Sequence, residues 1–146
     1  SDINSALATS QLKKLNMFKK SRIDLLTLYD TLLAPLAPDI KPIYRNSNTD
    51  PCWHLYPVLI NFNAIHIGRA ELMENLKKEG IMTQVHYIPV YKHPYYKKNS
   101  EEILTLPNSE YYYNHVLSLP LFPAMNEDDV KYIVKSIQQI LAAQIS

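Results

Sequence analysis

Two histidines and four tyrosines fall within Thr83–Tyr96, TQVHYIPVYKHPYY, with two prolines and no carboxylate. Phenol and imidazole rings donate and accept hydrogen bonds while offering flat apolar faces. That combination suits a neutral, hydroxyl-rich ligand such as a sugar. MTQVHYIPV alternates as a strand, with Val85 and Tyr87 on one side and Gln84, His86 and Ile88 on the other. His86 and Tyr87, held just before Pro89, are the candidate ligand contacts of this stretch, because a rigid element places a side chain better than a loop does. Tyr95, Tyr96 and Tyr111 to Tyr113 read instead as amphipathic cover over a core, with their hydroxyls in water.

Other chemistries find less support. The five histidines, at 54, 66, 86, 93 and 115, include no i, i+4 helical pair, and no carboxylate accompanies the richest segment. A metal site is therefore not expected. Cys52 and His54 share one side of an expected strand, but no third group orients the histidine, so Cys52 reads as a small buried residue. With only Gly68 and Gly80, the chain has no glycine-rich phosphate cradle. Lys and Arg total 15 against 14 Asp and Glu, a balance that argues against a nucleic-acid groove or an anionic membrane surface as partner. The single cysteine excludes an intramolecular disulfide framework and fits a reducing cytoplasm. No apolar run approaches a membrane span, and SDINSALATSQ lacks the charged-then-apolar order of an export signal.

The elements that must position these residues follow from periodicity. Leu15, Phe18, Leu25, Leu26, Tyr29, Leu32 and Leu33 recur at three- and four-residue steps, which predicts one long helix capped by Ser1 or Asp2 and ending before Pro35. That pattern is already running in the first residues, as if the chain began inside a larger protein. APLAPDIKP reads as a connector within the domain, since proline removes backbone donors and extends its predecessor. CWHLYPVLINF, residues 52–62, predicts a buried strand, with Pro57 suggesting a sheet edge or bulge. Leu72, Met73 and Leu76 mark a helix that KKEGI closes, with Gly80 as the left-handed cap and Ile81 as the contact beyond it. SEYYYNHVLSLPLF begins as a helix capped by Ser109 and becomes extended, and IKPIYR and LSLPLF are possible further strands. A final helix starts at Asn126, with three acidic residues in its first turn and Val130, Ile133, Val134, Ile137, Ile140 and Leu141 facing inward. The order predicts an α+β fold, one small sheet covered by helices, in a single domain over residues 1–146.

Taken together, SDINSALATSQLKKL, CWHLYPVLI, LKKEGIMTQVHYIPVYKHPYY and LSLPLFPAM resemble, in order and over essentially the whole chain, the C-terminal part of the DegT/DnrJ/EryC1/StrS family of pyridoxal-phosphate-dependent sugar aminotransferases. Within the family the likeness is greatest to transaminases acting on UDP-linked 4-keto-6-deoxy amino sugars, as in pseudaminic acid or spore coat polysaccharide pathways. The resemblance implies the small C-terminal domain of a fold-type I aminotransferase, with a mostly antiparallel sheet and a long leading helix. The large domain upstream would carry the cofactor lysine and most phosphate ligands; this chain would bind no pyridoxal phosphate covalently and be inactive alone. It further implies a cytoplasmic homodimer that takes an amino group from glutamate and passes it to a nucleotide sugar. His86 and Tyr87 match the family's VHY segment, similar to positions lining the nucleotide-sugar site, and Tyr91 and His93 follow in the variable part of that loop. Trp53 and His54 match a pair with a structural role. The competing expectation is an independent carbohydrate- or protein-binding module.

Overall fold

The computed structural model describes residues 1–99 and 105–144. Helix α1 spans Asp2–Leu12 and α2 spans Leu15–Leu33. The single long helix expected here is thus two. Ser1 occupies the N-cap without a side-chain hydrogen bond, and the break falls at Lys13 and Lys14, where the Lys14 amide reaches back three residues to Gln11 at 2.9 Å. That tightened turn ends α1 without proline or glycine, so composition gives no warning of it. Only α2 reaches the core, through Leu25, Leu26, Tyr29 and Leu33, while no residue of α1 is buried. Leu15 and Phe18, expected on the same stripe, lie on the outer half of α2 and stay exposed and half-buried respectively.

A 3₁₀ turn, Ala34–Leu36, leads into strand β1, Ile40–Pro42. Strand β2 is Tyr56–Ile60, shorter than the run of apolar residues had implied. Cys52 lies in the loop before it and is exposed, which corrects the buried cysteine expected there: the ladder begins only at Tyr56. Helix α3, Arg69–Lys78, closes as anticipated. Gly80 adopts φ +74°, its amide bonds Lys77 at 3.0 Å, and Ile81 reaches Leu76 at 2.9 Å, a complete Schellman arrangement.

After a loop come α4, Pro94–Asn99, α5, Pro107–His115, and strand β3, Val116–Leu119. The start of α5 differs from expectation: Leu106 is the N-cap and Pro107 sits inside the first turn, so Ser109 is already helical. Helix α6, Glu127–Ala142, begins with a capping box in which Asn126 accepts from Asp128 and Asp129 while Asp129 accepts from the Asn126 amide.

The sheet is antiparallel in the order β1-β2-β3, with Ile40 opposite Ile60 and Tyr56 opposite Leu119. Pro57 is therefore in the central strand rather than at an edge. It is tolerated because its missing donor faces the place where β1 stops: the Pro57 carbonyl accepts from Ile43 at 3.3 Å, while Ser118, opposite Pro57 in β3, sends its own backbone bonds to Gln84. All four residues of β3 are buried, so both faces of the strand are covered. Helix α2 packs on α6 and β1, α3 on α6, and α5 on β2. Val130, Ile133, Val134 and Ile137 of α6 join that core, with Ile140 and Leu141 half-buried beside it.

Two tyrosines join helix to sheet. Tyr29 and Tyr56 stack at 4.4 Å, and the Tyr29 hydroxyl donates to the Pro120 carbonyl at 3.0 Å. The Tyr56 hydroxyl donates to Asp30 at 2.6 Å, and Arg45 grips the same carboxylate with two nitrogens at 2.6 and 3.0 Å. Burial, reinforced by Asp129 for Tyr29 and by Asp30 for Tyr56, raises both phenols well above their ordinary range, so they remain donors. The Arg45 guanidinium also lies 5.7 Å from the Trp53 ring centre, which gives the half-buried Trp53 a structural place; His54 is exposed.

Candidate functional site

The stretch rich in ring donors does not form the strand its alternation predicted. Only Gln84 joins the sheet, exchanging backbone bonds with Ser118 at 2.8 and 3.2 Å. Beyond Gln84 no ladder imposes alternation, and His86 and Tyr87, expected on opposite faces, meet edge to face at 4.7 Å across a cis peptide bond. Their placement still comes from the sheet, because His86 Nδ1 shares a 3.0 Å hydrogen bond with Ser118 Oγ, a buried hydroxyl in β3. His86 is half-buried, whereas Tyr87 is 72% exposed and presents its ring to solvent.

The chain then turns at Val90–Lys92, closed by backbone bonds from Lys92 to Pro89 at 2.8 Å and from His93 to Val90 at 3.0 Å. Here it meets α5. The Tyr91 hydroxyl donates to one oxygen of Glu110 and Lys92 Nζ donates to the other. Lys92 also lies 5.4 Å from the Tyr113 ring centre, and Arg69 approaches the same ring at 4.8 Å while donating to the Tyr113 carbonyl. The hydrogen bonds from Lys92 and Tyr91 hold the Glu110 carboxyl below its ordinary range, and the bond to Glu110 pushes Tyr91 up to about 12. His93 is exposed, as are Tyr95 and Tyr96 on α4, whose rings meet at 5.3 Å.

The structure therefore brings His86 and Tyr87 together, ties Tyr91 inward and leaves His93 outward. Arg69, Lys92 and Glu110, which sequence reasoning left out, complete the arrangement. The available signal was Glu110, an acid one helical turn before Tyr113. What results is a surface of neutral rings able to contact sugar hydroxyls and ring faces, backed by a charged knot. Among the described residues no three His, Cys, Asp or Glu side chains converge as metal ligands.

The family model for DegT/DnrJ/EryC1/StrS aminotransferases matches residues 1–138. The chain belongs to that family. It is 35% identical over 142 residues to an uncharacterised protein of Methanocaldococcus jannaschii, covering 97% of this chain and 36% of that one. It is 34% identical over 142 residues to the spore coat polysaccharide biosynthesis protein SpsC of Bacillus subtilis, with 96% and 36% covered. Among solved structures it superposes on Helicobacter pylori PseC, an aminotransferase involved in pseudaminic acid biosynthesis, at a TM-score of 0.86 and 29% identity, covering 97% of this chain and 37% of that one. The chain thus spans 36% of the length of the curated relatives it matches.

Aminotransferases of this family use pyridoxal phosphate, which requires a lysine for its aldehyde and a cradle for its phosphate. Among the described residues every lysine is exposed except Lys19 and Lys92, and those two are held by Asp50 and Glu110. Neither Gly68 nor Gly80 lies in a glycine-rich turn opening onto a helix. The described residues therefore offer no glycine-rich cradle for the cofactor's phosphate.

Proposed function

We propose that the native protein is a pyridoxal-phosphate-dependent aminotransferase that moves an amino group from glutamate to the keto carbon of a nucleotide-linked deoxy sugar, for cell-surface polysaccharide or glycan synthesis. Glutamate becomes 2-oxoglutarate as the sugar ketone becomes an amine, so the two substrates balance each other's oxidation state. This chain supplies the small C-terminal domain, inactive alone, which contributes sugar-nucleotide recognition and dimer contacts beside a large cofactor domain upstream. The whole enzyme is a cytoplasmic homodimer. The observation that carries this reading is the loop from Gln84 to His93, fastened to β3 and α5 yet presenting Tyr87 and His93 outward in a chain of this family. The family match over residues 1–138 supports this reading over an independent binding module.

Incubated with pyridoxal phosphate, the native-length gene product is expected to develop a visible cofactor absorption that glutamate shifts, while this chain leaves the free cofactor's spectrum unaltered. A native-length protein whose spectrum ignores glutamate overturns the reading. In the active enzyme, His86→Ala and Tyr87→Phe are each expected to lower kcat/KM for a UDP-linked 4-keto sugar by about tenfold, the worth of one hydrogen bond. A fully active double variant removes both residues from the site.

A further inference from the structure

Resting on the sugar-nucleotide reading above, we infer that Glu110 is the positioning residue of the substrate loop, and that Tyr91 acts through it rather than by touching the sugar. A tyrosine hydroxyl has one proton to donate, and that of Tyr91 goes to Glu110. The second Glu110 oxygen takes Lys92. Both bonds run to an ionised carboxylate, the stronger class of hydrogen bond. Tyr113, one turn further along α5, receives Lys92 and Arg69 against its ring, so the turn Val90–Lys92 is held to the helix at two successive levels.

The opposite end of the loop is held by Ser118 through the Gln84 backbone and the His86 ring. Glu110 and Ser118 belong to one continuous segment, since α5 ends at His115 and β3 begins at Val116. That segment is paired with the central strand from Val116 to Leu119. The loop therefore hangs between two points of a single rigid piece, and His86 and Tyr87 inherit their position from both. Loss of either anchor lets the rings shift, and a displacement of about 1 Å at a binding group costs up to ~100-fold in rate.

The test uses the native-length enzyme with a UDP-linked 4-keto-6-deoxy-N-acetylhexosamine as amino acceptor. Glu110→Ala, Tyr91→Phe and the double variant are compared by steady-state kinetics and by amide exchange over residues 84–93. Each single variant is expected to raise KM for the sugar by about tenfold with a smaller change in kcat, and to speed exchange in the loop but not in α6. The double variant is expected to be no worse than Glu110→Ala, because the two residues form one link. Glu110→Gln, which still accepts the Tyr91 proton, is expected to recover part of the affinity.

Additive losses in the double variant would show that Tyr91 meets the sugar itself and would overturn the proposal. So would faster loop exchange at unchanged KM, or unchanged exchange. Should Glu110→Ala not fold, Tyr91→Phe, which deletes a single oxygen, decides alone: an unaltered KM is the negative result. Wild-type enzyme that leaves the probe unaminated overturns the sugar reading, and with it the role given to Glu110, whatever the exchange reports.

Discussion

At the scale of single residues, charge decides where the tyrosines go. Tyr87 and Tyr91 are both phenols in one short loop, yet among the described residues it is Tyr91 that bonds a carboxylate, so it turns inward while Tyr87 stays out. This makes the link sensitive to pH from two directions. The depressed Glu110 pKa means that its contribution is complete above the usual 4.5 and fades as pH falls through the lowered value. The raised Tyr91 pKa means that its contribution is complete below the usual 10.0 and fades as pH rises through about 12. Among the described residues, the charged groups facing the pair are Lys92 from the turn and, across Tyr113, Arg69 from α3. Amide protection in residues 84–93, taken relative to α6, is expected to stay level between those limits and drop at both ends. A monotonic trend across the neutral range would contradict it.

At the scale of elements, the best-formed boundaries are those where one residue type satisfies a backbone need. Gly80 holds a left-handed conformation, and a side-chain carbon added there would meet no atom within 4 Å, so replacing it tests the backbone alone. Gly80→Ala is expected to destabilise the chain by about 1 kcal/mol, the conformational penalty for a non-glycine residue. Asn126→Ala removes an acceptor shared by the Asp128 and Asp129 amides and is expected to cost a similar ~1 kcal/mol. Equilibrium urea unfolding measures both. An unchanged midpoint for either variant would mean that its cap contributes nothing beyond what solvent supplies.

At the scale of the whole molecule, the first helix stands apart. Ile3, Leu7 and Leu12 are 81%, 60% and 68% exposed, and no residue of α1 joins the core formed by α2, α3, α6 and the sheet. Large apolar side chains left in water on more than one side of a helix favour association. The chain by itself is expected to self-associate, and analytical ultracentrifugation showing a clean monomer at high concentration would contradict that. Replacing Ile3, Leu7 and Leu12 by glutamine is expected to shift the population toward monomer. No helix among the described residues is long and apolar enough to cross a membrane.

Sequence alone determined the pieces whose cause is local. The 3.6-residue stripe of α6, the capping residues at Asn126, the Gly80 stop and the α+β class are written in neighbours a turn apart, where a short-range rule suffices. The DegT/DnrJ/EryC1/StrS motifs were legible for the same reason, as runs of consecutive residues. Tertiary structure decided what depends on partners distant in the chain. Alternation in MTQVHYIPV could not reveal that only Gln84 of that stretch pairs with β3, through Ser118, because pairing is settled by the strand across from it. Pro57 could sit in the central strand only because β1 ends opposite its missing donor. The division of labour between Tyr87 and Tyr91 rests on Glu110, a carboxylate that only the packing of α5 carries to the loop.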